Sequence, residues 1–296
     1  MVQMPSGNRE TVKTAGIIGL GVGMQHVLAY QSLGLDVLVC DFNAELARPA
    51  DVLDIDDWRE LIDRSDIVSI CSWDQYHEEQ AIYALERDKH VLCEKPLAHT
   101  RESLERIRAA AEKSRGILDV SFPLRYKLSR FGLWDKTKSA TFSYHWGRNQ
   151  KLHDGWRRNT PDYNVTCGGL IHMIDLCEQM VGKIDNNSIH VRFCGNIKSV
   201  GIVDYDEIDC YCTIGGASVF FEGYFSDTNG RHRNLISLGG DGLFIDVSNI
   251  SSDKGAPVRH FYNAVTHPTI KFTPDPFSAN LTAIAVHEKA MEYLRG

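Results

Sequence analysis

The sequence predicts an α/β protein of two domains: a doubly wound parallel sheet in residues 1–122, then an α+β domain on an open, mainly antiparallel sheet in residues 123–296. Three observations predict it. Nearly continuous apolar runs alternate with helix-period segments as far as Phe122. Period-two alternation then takes over. A length of 296 residues suits two cores better than one.

The apolar runs are Ala15–Gly19, Asp36–Cys40, Ile67–Cys71, His90–Cys93 and Ile117–Val120. Their lack of alternation marks strands covered on both faces, as in parallel sheets. Helical patterns lie between them at Met24–Leu33, Asp57–Arg64, His77–Arg87 and Arg101–Lys113. Repeated βα units of this length imply right-handed crossovers. In the second domain Ser139–Trp146, Glu207–Ile214 and Ala217–Phe225 alternate; Ile208, Cys210, Cys212 and Ile214 oppose Asp209, Tyr211 and Thr213. Two further helices are predicted, Leu170–Val181 with Gly182 as its C-cap and Ser278–Leu294 at the end.

Composition excludes several classes. Apolar residues are 43% and charged residues 24%, ordinary for a soluble globular chain. A formal charge of -7 without a dense Lys/Arg patch argues against nucleic acid as a partner. No stretch has the roughly 18 uninterrupted apolar residues of a membrane helix, and the polar amino terminus lacks a signal-peptide core. The eight cysteines are scattered, several of them in apolar runs, so they read as buried thiols in a reducing, cytoplasmic setting. Cys210 and Cys212 share a strand face without a matching His/Cys set nearby, so no metal site is expected.

Where the first strand turns into a helix, glycines stand at 19, 21 and 23. Gly19 permits the tight turn and Gly21 lets backbone approach a pyrophosphate, the pattern of a Rossmann dinucleotide site. The third glycine of the usual fingerprint belongs at 24, where Met24 stands, so Gly23 is one place early. Asp41 ends the second strand, 20 residues after Gly21. There a carboxylate accepts hydrogen bonds from both ribose hydroxyls of NAD and repels a 2′-phosphate, which favours NAD over NADP. The fourth strand ends in Glu94-Lys95-Pro96, and strand carboxyl ends are where open α/β sheets bind ligands.

Together with His77, Phe122-Pro-Leu-Arg125, Gly155-Trp-Arg157 and Gly168-Gly-Leu-Ile-His-Met-Ile-Asp175, these motifs resemble the Gfo/Idh/MocA family of NAD(P)-dependent sugar and polyol oxidoreductases. The resemblance runs from about Ala15 through Gly182 and more loosely beyond. It implies hydride transfer between NAD and a secondary alcohol or ketone of a sugar, polyol or nucleotide sugar. Lys95 would reach the reacting hydroxyl, and His172 would act as proton acceptor. The cofactor would meet Gly19, Gly21, Gly23, Asp41, Ser72, His77, Glu94, Lys95 and Pro96. On the substrate side, Arg125, Arg157, Tyr163 and Asp175 are the candidates, Arg157 for an anionic group and Tyr163 as a substitute acid. Arg157 and Tyr163 read equally well as interface packing.

One position departs from the family pattern: Gly168 stands where many members carry an Asp four residues before the histidine. Two alternatives therefore stay open, an NAD-assisted hydrolase or lyase and a non-catalytic NAD- or sugar-sensing protein. Ser218–Phe225 is apolar on both faces, which predicts a homodimer or homotetramer through the second sheet.

Overall fold

The apolar runs become a six-stranded parallel sheet in the computed structural model, which describes residues 12–43, 49–128, 139–147, 164–195, 205–226, 232–239, 243–247, 253–267 and 275–296. The strands are β1 (Thr14–Ile18), β2 (Asp36–Cys40), β3 (Val52–Asp54), β4 (Ile67–Ile70), β5 (His90–Glu94) and β6 (Leu118–Ser121). Their order, β3-β2-β1-β4-β5-β6, is that of a Rossmann sheet. The order reverses between β1 and β4, so a crevice opens beyond their carboxyl ends. The interior strands are buried almost throughout, which is why their sequences do not alternate. β3 was not predicted: it is three residues long, and two of them are exposed at the sheet edge, so no apolar run marks it.

The crossover helices are α1 (Gly23–Ser32), α2 (Trp58–Asp63), α3 (His77–Leu85) and α4 (Arg101–Lys113). α2 begins where the Asp57 carboxylate accepts from the Arg59 N–H at 2.9 Å, relieving an otherwise unpaired helix-end donor. α1 buries His26, Val27, Ala29 and Tyr30 against the sheet. Val27 and Tyr30 join Ile17, Val39, Ile67 and Leu92 in one apolar core.

A second compact unit takes in His99–Arg101, Leu124–Ser252 and Phe277–Gly296. It contains α5 (Arg125–Leu128), β7 (Ser139–Gly147), α6 (Ile171–Met180), β8 (His190–Gly195), β9 (Glu207–Ile214), β10 (Ala217–Ser226), β11 (His232–Gly239) and β12 (Leu243–Asp246). The strands form one sheet in the order β12-β11-β7-β10-β9-β8. Every pairing is antiparallel except β7 with β10. One face buries Phe142, Val219, Phe221, Ile208, Cys210 and Cys212. All eight cysteines are free and buried. Among the described residues no three His, Cys, Asp or Glu side chains form a metal-binding group.

Sequence grouping places everything after residue 122 in the second domain, but the chain returns to the first. Asp253–Pro276 belongs to the amino-terminal unit, and its helix α7 (Ala256–Thr266) packs on α1, β5 and β6. Val258 and Phe261 enter the first core directly. Their helical spacing is visible in the sequence; which sheet they cover is not. α8 (Ser278–Arg295) then closes the second unit against α6 and β8. Among the described residues no helix is long and apolar enough to cross a membrane.

The segment predicted as one helix, Leu170–Val181, begins earlier and differently. Thr166–Leu170 forms a π-helical turn that runs into α6. A Cβ on Gly169 would fall within the Tyr144 ring of β7, so the turn approaches the sheet only because that residue is glycine. Gly169→Ala is expected to lower stability by about 1–3 kcal/mol, measured as a lower urea midpoint. Combining it with Tyr144→Leu should recover part of the loss.

Candidate functional site

At the carboxyl end of β1 the chain must turn in very little space. Gly19 has φ +89°, and a Cβ there would lie 2.5 Å from the Cys71 carbonyl oxygen. Its N–H donates to Cys40 O at 2.8 Å, tying the turn to β2. Gly21 is different: it is exposed, and a Cβ would have nothing within 4 Å. That open backbone at the entrance to α1 fits the close approach of a pyrophosphate. Gly23 opens α1, where a Cβ would lie 2.9 Å from Ile17 Cγ2 and 3.1 Å from Cys71 Cβ. It performs the helix-to-strand packing that the fingerprint assigns to its third glycine, one residue early. Met24 is therefore no obstacle.

Asp41 stands at the end of β2 beside this loop. Its carboxylate accepts from Leu20 N–H at 2.6 Å and from Asn43 N–H at 2.8 Å, so the acid and the glycine turn are held as one piece. Next to it lies an aromatic strip absent from the sequence expectations. Phe42, 70% exposed, meets Trp73 edge-on at 4.8 Å, and Trp73 stacks with Tyr76 at 6.4 Å. Phe and Trp exposed at strand ends rather than in strand interiors were the available signal.

Ser72 and His77 serve the loops that follow β4 and β5. The Ser72 hydroxyl donates to Gln80 Oε1 at 2.6 Å. His77 is buried, with Nδ1 2.8 Å from Pro96 O and Nε2 3.1 Å from Ser72 O, so the imidazole lies between both loops and, when neutral, donates to one of the two carbonyls. Burial lowers its affinity for a proton, against the opposing pull of Asp74 and the two carbonyls. The Lys95–Pro96 peptide bond is cis.

Glu94 and Lys95 end β5, both half-buried. Burial by itself would raise the Glu94 carboxyl. His26, whose Nε2 lies 3.5 Å from Oε1, overcomes that with help from the charge of Lys95 and holds it down to about 2. His26 comes from α1, fully buried, and its Nδ1 lies 3.0 Å from Ser69 Oγ. Sequence reading missed it; the signal was a histidine on the face of α1 that also carries Val27 and Tyr30.

In the second unit, His172 sits half-buried on α6, just after the π-helical turn. Arg125 and Asp175, both predicted to meet substrate, are 8% and 1% exposed and pair with each other. Nη2 reaches Oδ1 at 2.5 Å and Nε reaches Oδ2 at 3.2 Å. Burial raises the Asp175 carboxyl while the Arg125 guanidinium opposes it. Asn164, also missed, caps the turn before His172: its Oδ1 accepts from the N–H groups of Thr166 and Cys167 at 2.9 and 3.1 Å. Gly168 lies within this π-helical turn, buried, four residues before His172. Arg157 and Tyr163 lie outside the described residues.

Residues 13–122, which carry the whole glycine–Asp41–Lys95 arrangement, match the GFO_IDH_MocA oxidoreductase family with its NAD-binding Rossmann fold. Residues 13–122 are thus similar to the NAD-binding part of Gfo/Idh/MocA oxidoreductases. The chain is 32% identical over 196 residues to inositol 2-dehydrogenase of Klebsiella pneumoniae, a match covering 60% of this chain and 57% of that protein. It is 34% identical over 198 residues to levoglucosan dehydrogenase of Pseudarthrobacter phenanthrenivorans, covering 57% of this chain and 51% of that one. The matches thus span a little over half of these relatives. The WlbA dehydrogenase of Bordetella pertussis, solved with NADH and UDP-GlcNAcA, has the same fold: its TM-score is 0.79 at 16% identity, over 97% of this chain and 98% of that one.

The lowered Glu94 carboxyl gives the first unit a definite acid response. A carboxyl held at about 2, against 4.5 for an ordinary glutamate, adds stability that is complete above about pH 4.5 and lost as pH falls through 2. That contribution is about 3 kcal/mol at neutral pH. His77, lowered from 6.5, adds a separate loss that starts as pH falls below that value, because the unfolded chain then binds the extra proton. Urea midpoints measured from pH 7 to pH 3 should decline in the wild type. Glu94→Gln should flatten the part below pH 4.5 and leave the His77 part in place.

Proposed function

We propose that this protein is an NAD-dependent oxidoreductase that transfers a hydride between the nicotinamide and a secondary alcohol or ketone of a sugar, polyol or nucleotide sugar. The observation that carries the reading is the shared rim: the glycine turn, Asp41 and Lys95 all stand at carboxyl ends of one parallel sheet. The named relatives support the substrate class, because they act on inositol and levoglucosan, and the WlbA dehydrogenase holds a nucleotide sugar acid beside NADH.

Gly19, Gly21 and Gly23 would hold the pyrophosphate against the start of α1, and Asp41 would accept from the adenosine ribose hydroxyls. The Phe42–Trp73 pair would wall the adenosine end with apolar surface. The same Asp41 charge opposes a 2′-phosphate, which favours NAD over NADP. NAD, when bound, supplies the hydride chemistry. Lys95 would stabilise or relay the hydroxyl proton of the reacting carbon, and His172 is assigned as its acceptor by the family resemblance. Ser72, His77, Glu94 and Pro96 act from beneath, holding the two loops. In the second unit the Arg125–Asp175 pair would anchor the substrate side.

Purified protein should bind NADH tighter than NADPH by at least about tenfold, measured by fluorescence titration. It should then turn over at least one member of a panel of inositols, anhydrosugars and UDP-sugars. Lys95→Ala should cut kcat by about a hundredfold or more while NADH affinity changes only a few-fold. Tight NADH binding without turnover anywhere in the panel would return the reading to a sensor. Binding of neither nucleotide would end it.

The proposal includes a homodimer or homotetramer built on the open face of the second sheet, in a cytoplasmic setting. That face carries Phe193, 44% exposed, with half-buried Tyr211, Phe220 and Tyr224. Such a row of aromatics is costly to leave wet. Light scattering at micromolar concentration should give a multiple of the 33.3 kDa chain mass, and Phe220→Glu should shift it toward one copy.

A further inference from the structure

A buried polar chain crosses the first unit beneath the glycine loop. Tyr30 OH lies 3.1 Å from Ser69 Oγ, Ser69 Oγ lies 3.0 Å from His26 Nδ1, and His26 Nε2 faces Glu94 Oε1 at 3.5 Å. Tyr30, Ser69 and His26 are each 0% exposed. Glu94 has 13% of its side chain exposed and adjoins Lys95. The members come from α1, the middle of β4 and the end of β5.

Hydrogen-bond logic orients the imidazole. A buried carboxylate accepts only, so the ring nitrogen that faces it must carry hydrogen. Nε2 makes no full hydrogen bond, and its 3.5 Å contact with Glu94 Oε1 is an ion-pair approach across which the ring hydrogen faces the carboxylate. Nδ1 faces a serine hydroxyl that donates or accepts, so it imposes no conflict in either protonation state. A neutral ring with hydrogen on Nδ1 alone would aim a lone pair at the carboxylate and is excluded. The chain is closed at its inner end by buried Tyr30, so it leads no proton to solvent. Its use is mechanical and electrostatic.

We infer that His26 is a positioning residue: its Nε2–H holds the Glu94 carboxylate at the end of β5 and so fixes the adjacent Lys95, linking the helix that receives the pyrophosphate to the residue that handles the proton. His26 lies one turn after Gly23, so α1 cannot shift without moving this contact. The part concerning Lys95 rests on the proposed function; the His26–Glu94 contact does not. Removing the imidazole takes away the strongest influence that keeps Glu94 charged and leaves only Lys95 and Ser121 to oppose burial, which shifts this largely buried carboxyl toward its protonated form.

Two substitutions separate the two ring nitrogens. In His26→Gln the side-chain amide reaches where Nε2 stands; in His26→Asn it reaches only where Nδ1 stands. Both keep a polar group in the site. His26→Asn is expected to show a protonated-carboxyl band at neutral pH by isotope-edited infrared spectroscopy, absent from the wild type. The band should vanish in the His26→Asn/Glu94→Gln double variant, which assigns it to Glu94. On the sugar that the wild type turns over, His26→Asn should lose about ten- to a hundredfold in kcat with KM changed only a few-fold. His26→Gln should recover most of that loss and show no band. Equal behaviour of the two variants, or the reverse order, overturns the inference. If the wild type turns over nothing in the panel, the proposed function fails, and the infrared comparison still decides whether His26 holds Glu94.

Discussion

The first unit depends on one close approach, that of the Gly19 backbone to the Cys71 carbonyl. Three strand ends converge there. The Gly19 N–H reaches Cys40 O at 2.8 Å, and Cys71 N–H reaches Ile18 O at 2.8 Å. No side chain fits between them, and the positive φ suits glycine alone. Because the turn is this tight, Leu20 N–H falls within reach of Asp41, and α1 starts flush against β1 and Cys71. A looser turn would separate the start of α1 from the Asp41 carboxylate. The arrangement of glycine loop and acid is thus a by-product of sheet packing.

The polar groups beneath that turn carry a cost that packing alone cannot offset. Ser69 and His26 are completely buried in the middle of a parallel sheet and its covering helix. Burying such groups is unfavourable by a few kcal/mol each unless they partner one another. Here they do, and the last member of the chain is Glu94 on the ligand-facing rim. His77 lies between loop carbonyls that follow β4 and β5, and its neutral ring donates to one of them at a time. The rim is therefore stiffened by neighbours one layer below those that would touch a ligand, which suits a site that must hold donor and acceptor at fixed separation.

The second unit shows the same economy. Gly169 lets the π-helical turn lie on Tyr144, and Asn164 caps that turn from below. His172 is presented by a distorted helix start, a feature that recurs at functional sites. Arg125 and Asp175 are held to each other in a largely desolvated pair, where loss of either partner would leave a buried charge. Their chemistry is first of all structural.

The sequence by itself determined the two sheets, the strand ends that matter and the cofactor class. Apolar periodicity, glycine at turns and an acid at a strand terminus are consequences of local backbone geometry, readable without knowing what packs where. It did not show β3, too short and too exposed to leave a run, nor β8, β11 and β12 of the second sheet, nor α7, whose apolar stripe says helix without saying whose core it joins. It could not tell that Gly23 stands in for the third glycine, that Arg125 and Asp175 meet, or that His26 reaches Glu94. Those residues are separated by up to 68 positions, and each pairing exists only because strands and helices far apart in the chain are layered together. Contacts of that kind are decided by tertiary packing, since burial, which sets both their strength and their charge state, has no local signature.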